Sequence, residues 1–214
     1  MFRNILVTMV AITLCGCSTH ALDRQNLLTA LRRHFAGKGK TICTDQFSLP
    51  ATQDVTYGGA NAQLIALSKV GLVSVKERVT VEAFGMKTST DSYALTPVAR
   101  TSANVHIGKR SDWGTGVEQH YTAFCYGTIT PEKVSNIQKQ QGPPIPGLND
   151  TFVSADYSYS VDVRPWATNP SVRKAFPSID DVVTNPQRTA TAQFTQDANK
   201  DWVVQSDGLQ GGVR

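Results

Sequence analysis

The fold is decided by the stretch VSADYSYSVDV (residues 153–163), in which apolar and polar side chains alternate without a break. A period of two is typical of a β-strand, because successive side chains point to opposite faces of the sheet. One face carries Val153, Ala155, Tyr157, Tyr159, Val161 and Val163, and the other carries Ser154, Asp156, Ser158, Ser160 and Asp162. We therefore expect a sheet with one face on a core and one face in water.

A second long strand precedes this one. Residues 118–129 place Tyr121, Ala123, Cys125 and Ile129 on one face, and residues 130–137 continue the strand after a kink at Pro131. Residues 138–150 hold three prolines and two glycines without an apolar period, which indicates a long hairpin loop. The two strands are therefore predicted to pair antiparallel.

Shorter elements follow toward the C-terminus. Pro165-Trp166 ends the long strand, and Asn169-Pro170 has the chemistry of a helix start, for a helix that ends before Pro177. Residues 188–195 and 202–205 predict a closing hairpin. Its turn, residues 197–201, begins like a calcium loop but has Trp202 and Gly208 where that loop needs Gly and Glu, so we interpret it as an Asx turn.

The N-terminal half begins with a helix. Asp23 is its predicted N-cap, apolar residues recur at helical spacing as far as Phe35, and Gly37 ends it. Residues 44–59 are interpreted as an irregular linker, and residues 108–116 as a loop that exposes Trp113.

Residues 60–96 predict a short helix, a glycine, a strand and a returning strand. Gly71 stands where a C-terminal helix glycine belongs, residues 73–83 alternate apart from Glu77, and Tyr93 to Thr96 form the return after a Gly- and Thr-rich turn. This order resembles the winged-helix hairpin of bacterial regulators, without a convincing recognition helix.

These elements predict an α+β fold, with an N-terminal helical part that carries a small wing-like hairpin, followed by a twisted antiparallel β-sheet. We divide the chain into a leader at 1–16, a tether at 17–22, a helical and wing-like lobe at 23–116, a sheet lobe at 117–207 and a flexible tail at 208–214. Whether the two lobes form one domain stays open.

The first residues resemble an export signal of bacterial lipoproteins. Arg3 precedes the apolar run 5–14, which is about half the length of a membrane-spanning helix, and Leu14-Cys15-Gly16-Cys17 resembles a lipobox. The resemblance implies cleavage before Cys17, lipid on its thiol and amine, and, because Ser18 follows, an outer-membrane anchor facing the periplasm. The alternative is an ordinary signal peptide with Cys17 unmodified.

Two cysteines remain, Cys43 and Cys125. In an oxidising periplasm they are expected to form a disulfide. The alternatives are two buried thiols or a metal pair, and no histidine lies at ligand spacing from either cysteine.

Motifs for catalysis, metals or nucleic acid are not found in the sequence. The four histidines (His20, His34, His106 and His120) lack metal-ligand spacing, no Gly-x-Ser-x-Gly elbow occurs, and adjacent Asp180 and Asp181 are interpreted as solvated surface. The net charge of +4 is too mild to argue for nucleic acid. We expect no cofactor, no metal and no catalysis; a catalytic site assembled in space is the open alternative.

The function predicted is a non-catalytic protein-binding or structural module, held at the membrane by lipid and contacting a protein partner in the envelope. The alternative is a self-protection lipoprotein that neutralises an exported toxin or antibiotic. Because aromatic and arginine side chains dominate binding energy at interfaces, we select Trp113, Arg110 and Trp166 as binding residues. Packing is the alternative for both tryptophans, most of all for Trp166 beside Pro165.

Overall fold

The computed structural model describes residues 21–37, 41–54, 61–83, 86–102, 104–111, 114, 116–141 and 151–209. Within these ranges the protein is an α+β fold dominated by antiparallel sheet, which confirms the predicted class. The N-terminal half is less helical than expected, since it contributes five strands beside its three helices.

The larger sheet has six strands, all antiparallel to their neighbours. They are β1 (Thr41–Cys43), β5 (Val105–Ser111), β6 (Glu118–Gln141), β7 (Thr151–Val163), β8 (Gln187–Gln196) and β9 (Trp202–Ser206). The order is β1-β6-β7-β8-β9, and β5 also pairs with β6. The alternation in β7 holds, because Val153, Ala155, Tyr157, Tyr159 and Val161 are all buried.

Strand β6 is longer than predicted. It runs through Pro131 to Gln141, with register shifts against β7 after Pro131 and after Ser135. Four residues of the predicted loop are therefore strand, and residues 142–150 lie outside the described part of the chain. Tyr121 and Cys125 are buried as expected, and so are Phe124 and Tyr126, because both faces of this segment are covered.

The helices include α1 (Arg24–Ala36), α4 (Pro170–Ala175) and α5 (Pro177–Thr184), with a 3₁₀ helix at Pro165–Thr168. Helices α1 and α5 pack on the large sheet, and α4 packs on α2 (Ala62–Lys69), on α5 and on the 3₁₀ helix. The α1 cap is confirmed, since an Asp23 carboxylate oxygen accepts from the Asn26 amide at 2.8 Å, and the helix ends at Gly37. Helix α5 was not predicted; it begins at Pro177, the residue before which the preceding helix was expected to end.

A second, three-stranded sheet has the order β2-β4-β3, formed by β2 (Ala51–Asp54), β3 (Val73–Ala83) and β4 (Met86–Leu95). Helix α2 (Ala62–Lys69) precedes the hairpin and α3 (Pro97–Thr101) follows it. Gly71 has a φ of 75°, and the Leu72 amide donates to the Leu67 carbonyl, as the predicted helix end requires.

Three expectations for this half were wrong. The linker predicted at 44–59 contains β2, and the return strand starts at Met86 within the segment interpreted as a turn. The first four residues of the loop predicted at 108–116 belong to β5. In each case pairing with a neighbouring strand supplies the backbone hydrogen bonds that a weak local pattern does not predict.

One cluster of buried side chains spans both predicted lobes, from Leu27 on α1 through Tyr93 on β4 to Phe194 on β8. Cys43 and Cys125 are joined by the predicted disulfide and face each other across β1 and β6. With Ala123 they form a small apolar cluster of their own.

Candidate functional site

A cavity of about 380 Å³ lies where the end of β8 meets α5 and the chain that leaves β9. Four strands (β1, β6, β7 and β8), helix α5 and the segment after β9 supply its walls. The lining residues are Ile42, Tyr126, Tyr159, Ser178, Asp181, Val182, Arg188, Thr189, Ala190, Gly208 and Leu209. Cavities of this size accommodate small organic ligands.

Arg188 is the cationic residue of this lining. It stands opposite Tyr159 in the β7–β8 register and shares the inward phase of Ala190, Ala192 and Phe194 along β8. Because Arg188 is the second residue of β8, it lies on the inward face at the edge of the core, and its side chain is 30% exposed. The alternation of β8 therefore places the Arg188 guanidinium at the edge of an inward face that is otherwise apolar.

The guanidinium is held by a carboxylate on α5. Arg188 Nη2 donates to Asp181 Oδ2 at 2.7 Å. The hydrogen bond from Arg188, assisted by one from Asn185, lowers the pKa of Asp181, and the same bond to Asp181 raises the pKa of Arg188. Both groups therefore stay charged near neutral pH, and the orientation of the guanidinium is fixed.

One donor of this guanidinium is unused. Arg188 Nη1 is buried and has no hydrogen-bond partner among the described residues. A buried donor without an acceptor costs free energy that an incoming acceptor recovers. Arg188 therefore lines the cavity and also carries a donor that the described residues leave unsatisfied.

Two tyrosines also belong to the polar lining, beside Ser178 and Thr189. Tyr126 and Tyr159 are 4% and 5% exposed. Burial raises the pKa of Tyr126 to about 12, against the opposing charge of Arg188. Burial also raises the pKa of Tyr159, and the charge of Arg188 and a hydrogen bond with it act in the opposite direction. Both hydroxyls therefore keep their protons at neutral pH.

The walls of the cavity are fixed by two tertiary contacts. The disulfide joins Cys43 to Cys125, which are the chain neighbours of the lining residues Ile42 and Tyr126. Gly208 has a φ of 67°, and a Cβ there would overlap the carbonyl oxygen of Thr191, so only glycine lets the chain turn this close to β8.

The segment at Gly208 is also tied to α1. His34 Nε2 lies 3.2 Å from Asp207 Oδ2, and the Tyr157 hydroxyl donates to the Asp207 carbonyl at 2.9 Å. At the other end of α1, Trp202 Nε1 donates to the Ala21 carbonyl at 3.1 Å. Because α1 has 13 residues, these ends are about 20 Å apart. The cavity therefore lies at the end of α1 away from Ala21.

The residues selected from the sequence do not converge on this cavity. Arg110 is exposed on β5, not in a loop, and contacts Gln46 and Gln119 at 3.5 and 3.4 Å. Trp166 is half-buried against the main core, with its indole Nε1 buried and without an acceptor in the described part of the chain. Trp113 and Cys17 lie outside the described residues.

The adjacent acidic residues are both about half exposed, which agrees with the interpretation as solvated surface, and each has a partner. Asp180 pairs with Arg173 and Asp181 with Arg188, both at 2.7 Å. The sequence therefore predicted their exposure but not the contact of Asp181 with Arg188. The available signal was Arg188 itself, a charged residue in the apolar phase of a predicted strand.

Within the described ranges, no group of three or more His, Cys, Asp or Glu side chains could hold a metal ion. No helix in the same ranges is both long and apolar enough to cross a membrane. Comparison of the chain with protein-family models, curated proteins and solved structures finds no match.

Proposed function

We propose that this chain is an envelope lipoprotein, anchored to the outer membrane through Cys17, that acts as a non-catalytic binding or structural module toward a partner in the periplasm. The membrane anchor is supported by the lipobox-like pattern at residues 14–17. The binding role is supported by a cavity whose lining combines a fixed guanidinium, two tyrosines and apolar side chains.

The observation that carries the proposal is the attachment of Ala21 to the folded body. Its carbonyl accepts from Trp202 Nε1 at 3.1 Å and from Asn26 Nδ2 at 2.9 Å. Cys17 is four positions earlier, so lipid there would hold Ala21 within about 14 Å of the membrane. Such a short tether makes the body a membrane-surface module, with the cavity directed away from the anchor.

The titration of the cavity residues supports a binding role over catalysis. A general acid or base works best with a pKa near the operating pH. Here the pKa of Tyr126 is raised to about 12 and that of Asp181 is lowered, so both are moved away from neutrality. Tyr126 therefore remains a hydrogen-bond donor at neutral pH, and Asp181 remains a negative counter-charge to Arg188.

The proposal is tested by affinity recovery from cross-linked envelopes, with the wild-type chain compared with two tryptophan variants. Trp113→Ala should lower recovery of the partner and leave the melting temperature nearly unchanged. Trp166→Ala should lower the melting temperature, because this side chain packs on the core. The proposal is contradicted if the wild-type chain does not associate with membranes. It is also contradicted if one His or Glu substitution, or an Asp substitution other than at Asp181, abolishes the biological activity of the protein without unfolding it.

A further inference from the structure

We propose that the cavity between α5 and β8 binds a carboxylate joined to an apolar group, with Arg188 as its counter-charge. The inference rests on the proposed function, since it names the ligand class of the binding module. It does not depend on the lipid anchor or on the identity of a protein partner.

The Arg188 guanidinium has an N–H donor for which the described residues supply no acceptor. Asp181 occupies Nη2 at 2.7 Å, whereas Nη1 is buried and has no partner in the described part of the chain. Arginine presents its N–H groups in a rigid planar fork that matches a carboxylate. Because Asp181 holds one side of the fork, the orientation of the other side is restricted.

The neighbouring polar groups are donors as well. Tyr126 and Tyr159 keep their protons at neutral pH, since burial raises the pKa of each. A carboxylate is an acceptor-only group, so it fits a site made of a cation and phenolic donors. A ligand ammonium would instead face Arg188 and find Asp181 already engaged.

The charges and the volume of the cavity further restrict the class of ligand. Arg188 is the one cation among the described lining residues, and it shares its charge with the half-exposed Asp181, so a singly charged group fits better than a doubly charged phosphate. Ile42, Val182 and Leu209 supply apolar wall around about 380 Å³. This volume accommodates a small apolar body attached to the carboxylate.

Two sources share this chemistry: a free small acid and the C-terminal carboxylate of a peptide. Phenylacetate with phenylacetamide represents the first, and acetyl-alanyl-phenylalanine with its C-terminal amide represents the second. Within each pair only the charge of the terminal group changes. Titration calorimetry on the full lipidated chain in detergent gives the acid-to-amide ratio of dissociation constants.

The wild-type chain should bind at least one acid about tenfold or more tightly than its amide, as expected for a charge-assisted hydrogen bond. Arg188→Gln should abolish this preference. The matched control is Arg173→Gln, because Arg173 also pairs with a carboxylate of α5 at 2.7 Å but does not line the cavity. It should keep the preference.

Equal binding of acid and amide, absence of binding by all four probes, or equal loss in Arg173→Gln overturns the inference. If Arg188→Gln does not fold, Arg188→Lys decides instead: it keeps the charge without the fork, so the preference should fall severalfold, and an unchanged ratio overturns the inference. Partner recovery from envelopes is measured separately, so a failed carboxylate test leaves the binding-module proposal to be judged by its own experiment.

Discussion

The side chains around Arg188 have shifted pKa values, and the cause of each shift is burial or pairing with the guanidinium. Tyr126 is 4% exposed and its pKa is raised to about 12 by burial, so its neutral form is strongly favoured in the folded state. Asp181 is exposed and its pKa is lowered by the hydrogen bond from Arg188. The two shifts have opposite signs because burial penalises charge and a paired cation favours it.

The raised pKa of Tyr126 predicts a loss of stability in alkali. Between pH 10 and about 12 the unfolded chain releases the phenolic proton and the folded chain keeps it. The stabilisation is therefore complete below pH 10 and is lost as the pH rises toward 12, by on the order of 2 kcal/mol. Urea unfolding of wild type and Tyr126→Phe over this range measures the effect.

Tyr126→Phe should show a shallower decline of the unfolding free energy with pH than wild type. It should not abolish the decline, since burial also raises the pKa of Tyr157 and Tyr159. Parallel curves for the two proteins would mean that Tyr126 titrates alike in the folded and unfolded states.

At the level of elements, strong local patterns predicted the structure well and weak ones did not. Strand β7 has an unbroken alternation, and α1 has both a capping carboxylate and a terminating glycine, so each matches its expected bounds closely. Strand β5, with Gly108 and two basic residues, lacks such a pattern. It exists because seven residue pairs join it to β6.

The disulfide is the element-scale feature with the largest expected effect on stability. It links β1 to β6 across a sequence separation of 82 residues. In the chain-entropy model, a loop of this size implies a stabilisation of about 4 kcal/mol. We therefore expect the double variant Cys43→Ala, Cys125→Ala to lower the free energy of unfolding by about that amount, measured with urea.

The same variant should weaken binding of the preferred acid probe, because Ile42 and Tyr126 adjoin the two cysteines. The control is Cys15→Ser, since Cys15 lies in the leader that the lipobox interpretation removes. Unfolding curves that coincide for wild type and the double variant would show that the bridge is not formed in the native protein.

At the scale of the whole molecule, the α+β class could be predicted, whereas the cavity could not. Its lining comes from Ile42 near one end of the chain to Leu209 near the other. No short stretch of the sequence contains all of the lining residues, and the location of the cavity depends on α5 and on the turn at Gly208. Arg188 in an apolar phase was visible in the sequence, but its partner Asp181 becomes meaningful only when α5 packs beside β8.

The contacts at the two ends of α1 distinguish two opposite ends of the molecule. Ala21 and Trp202 mark the end near the proposed anchor, while His34 and Asp207 mark the end near the cavity. The central claim of this account is that lipid on Cys17 holds the first end at the membrane. This orientation and the proposed envelope function both depend on that modification.

Metabolic labelling with a radioactive fatty acid tests this claim most directly, in cells that produce the wild type, Cys17→Ser or Cys15→Ser. The account predicts label on the mature wild-type chain and on Cys15→Ser, which retains Cys17, and none on Cys17→Ser. Label that persists in Cys17→Ser, or a mature wild-type chain that carries none, would contradict it.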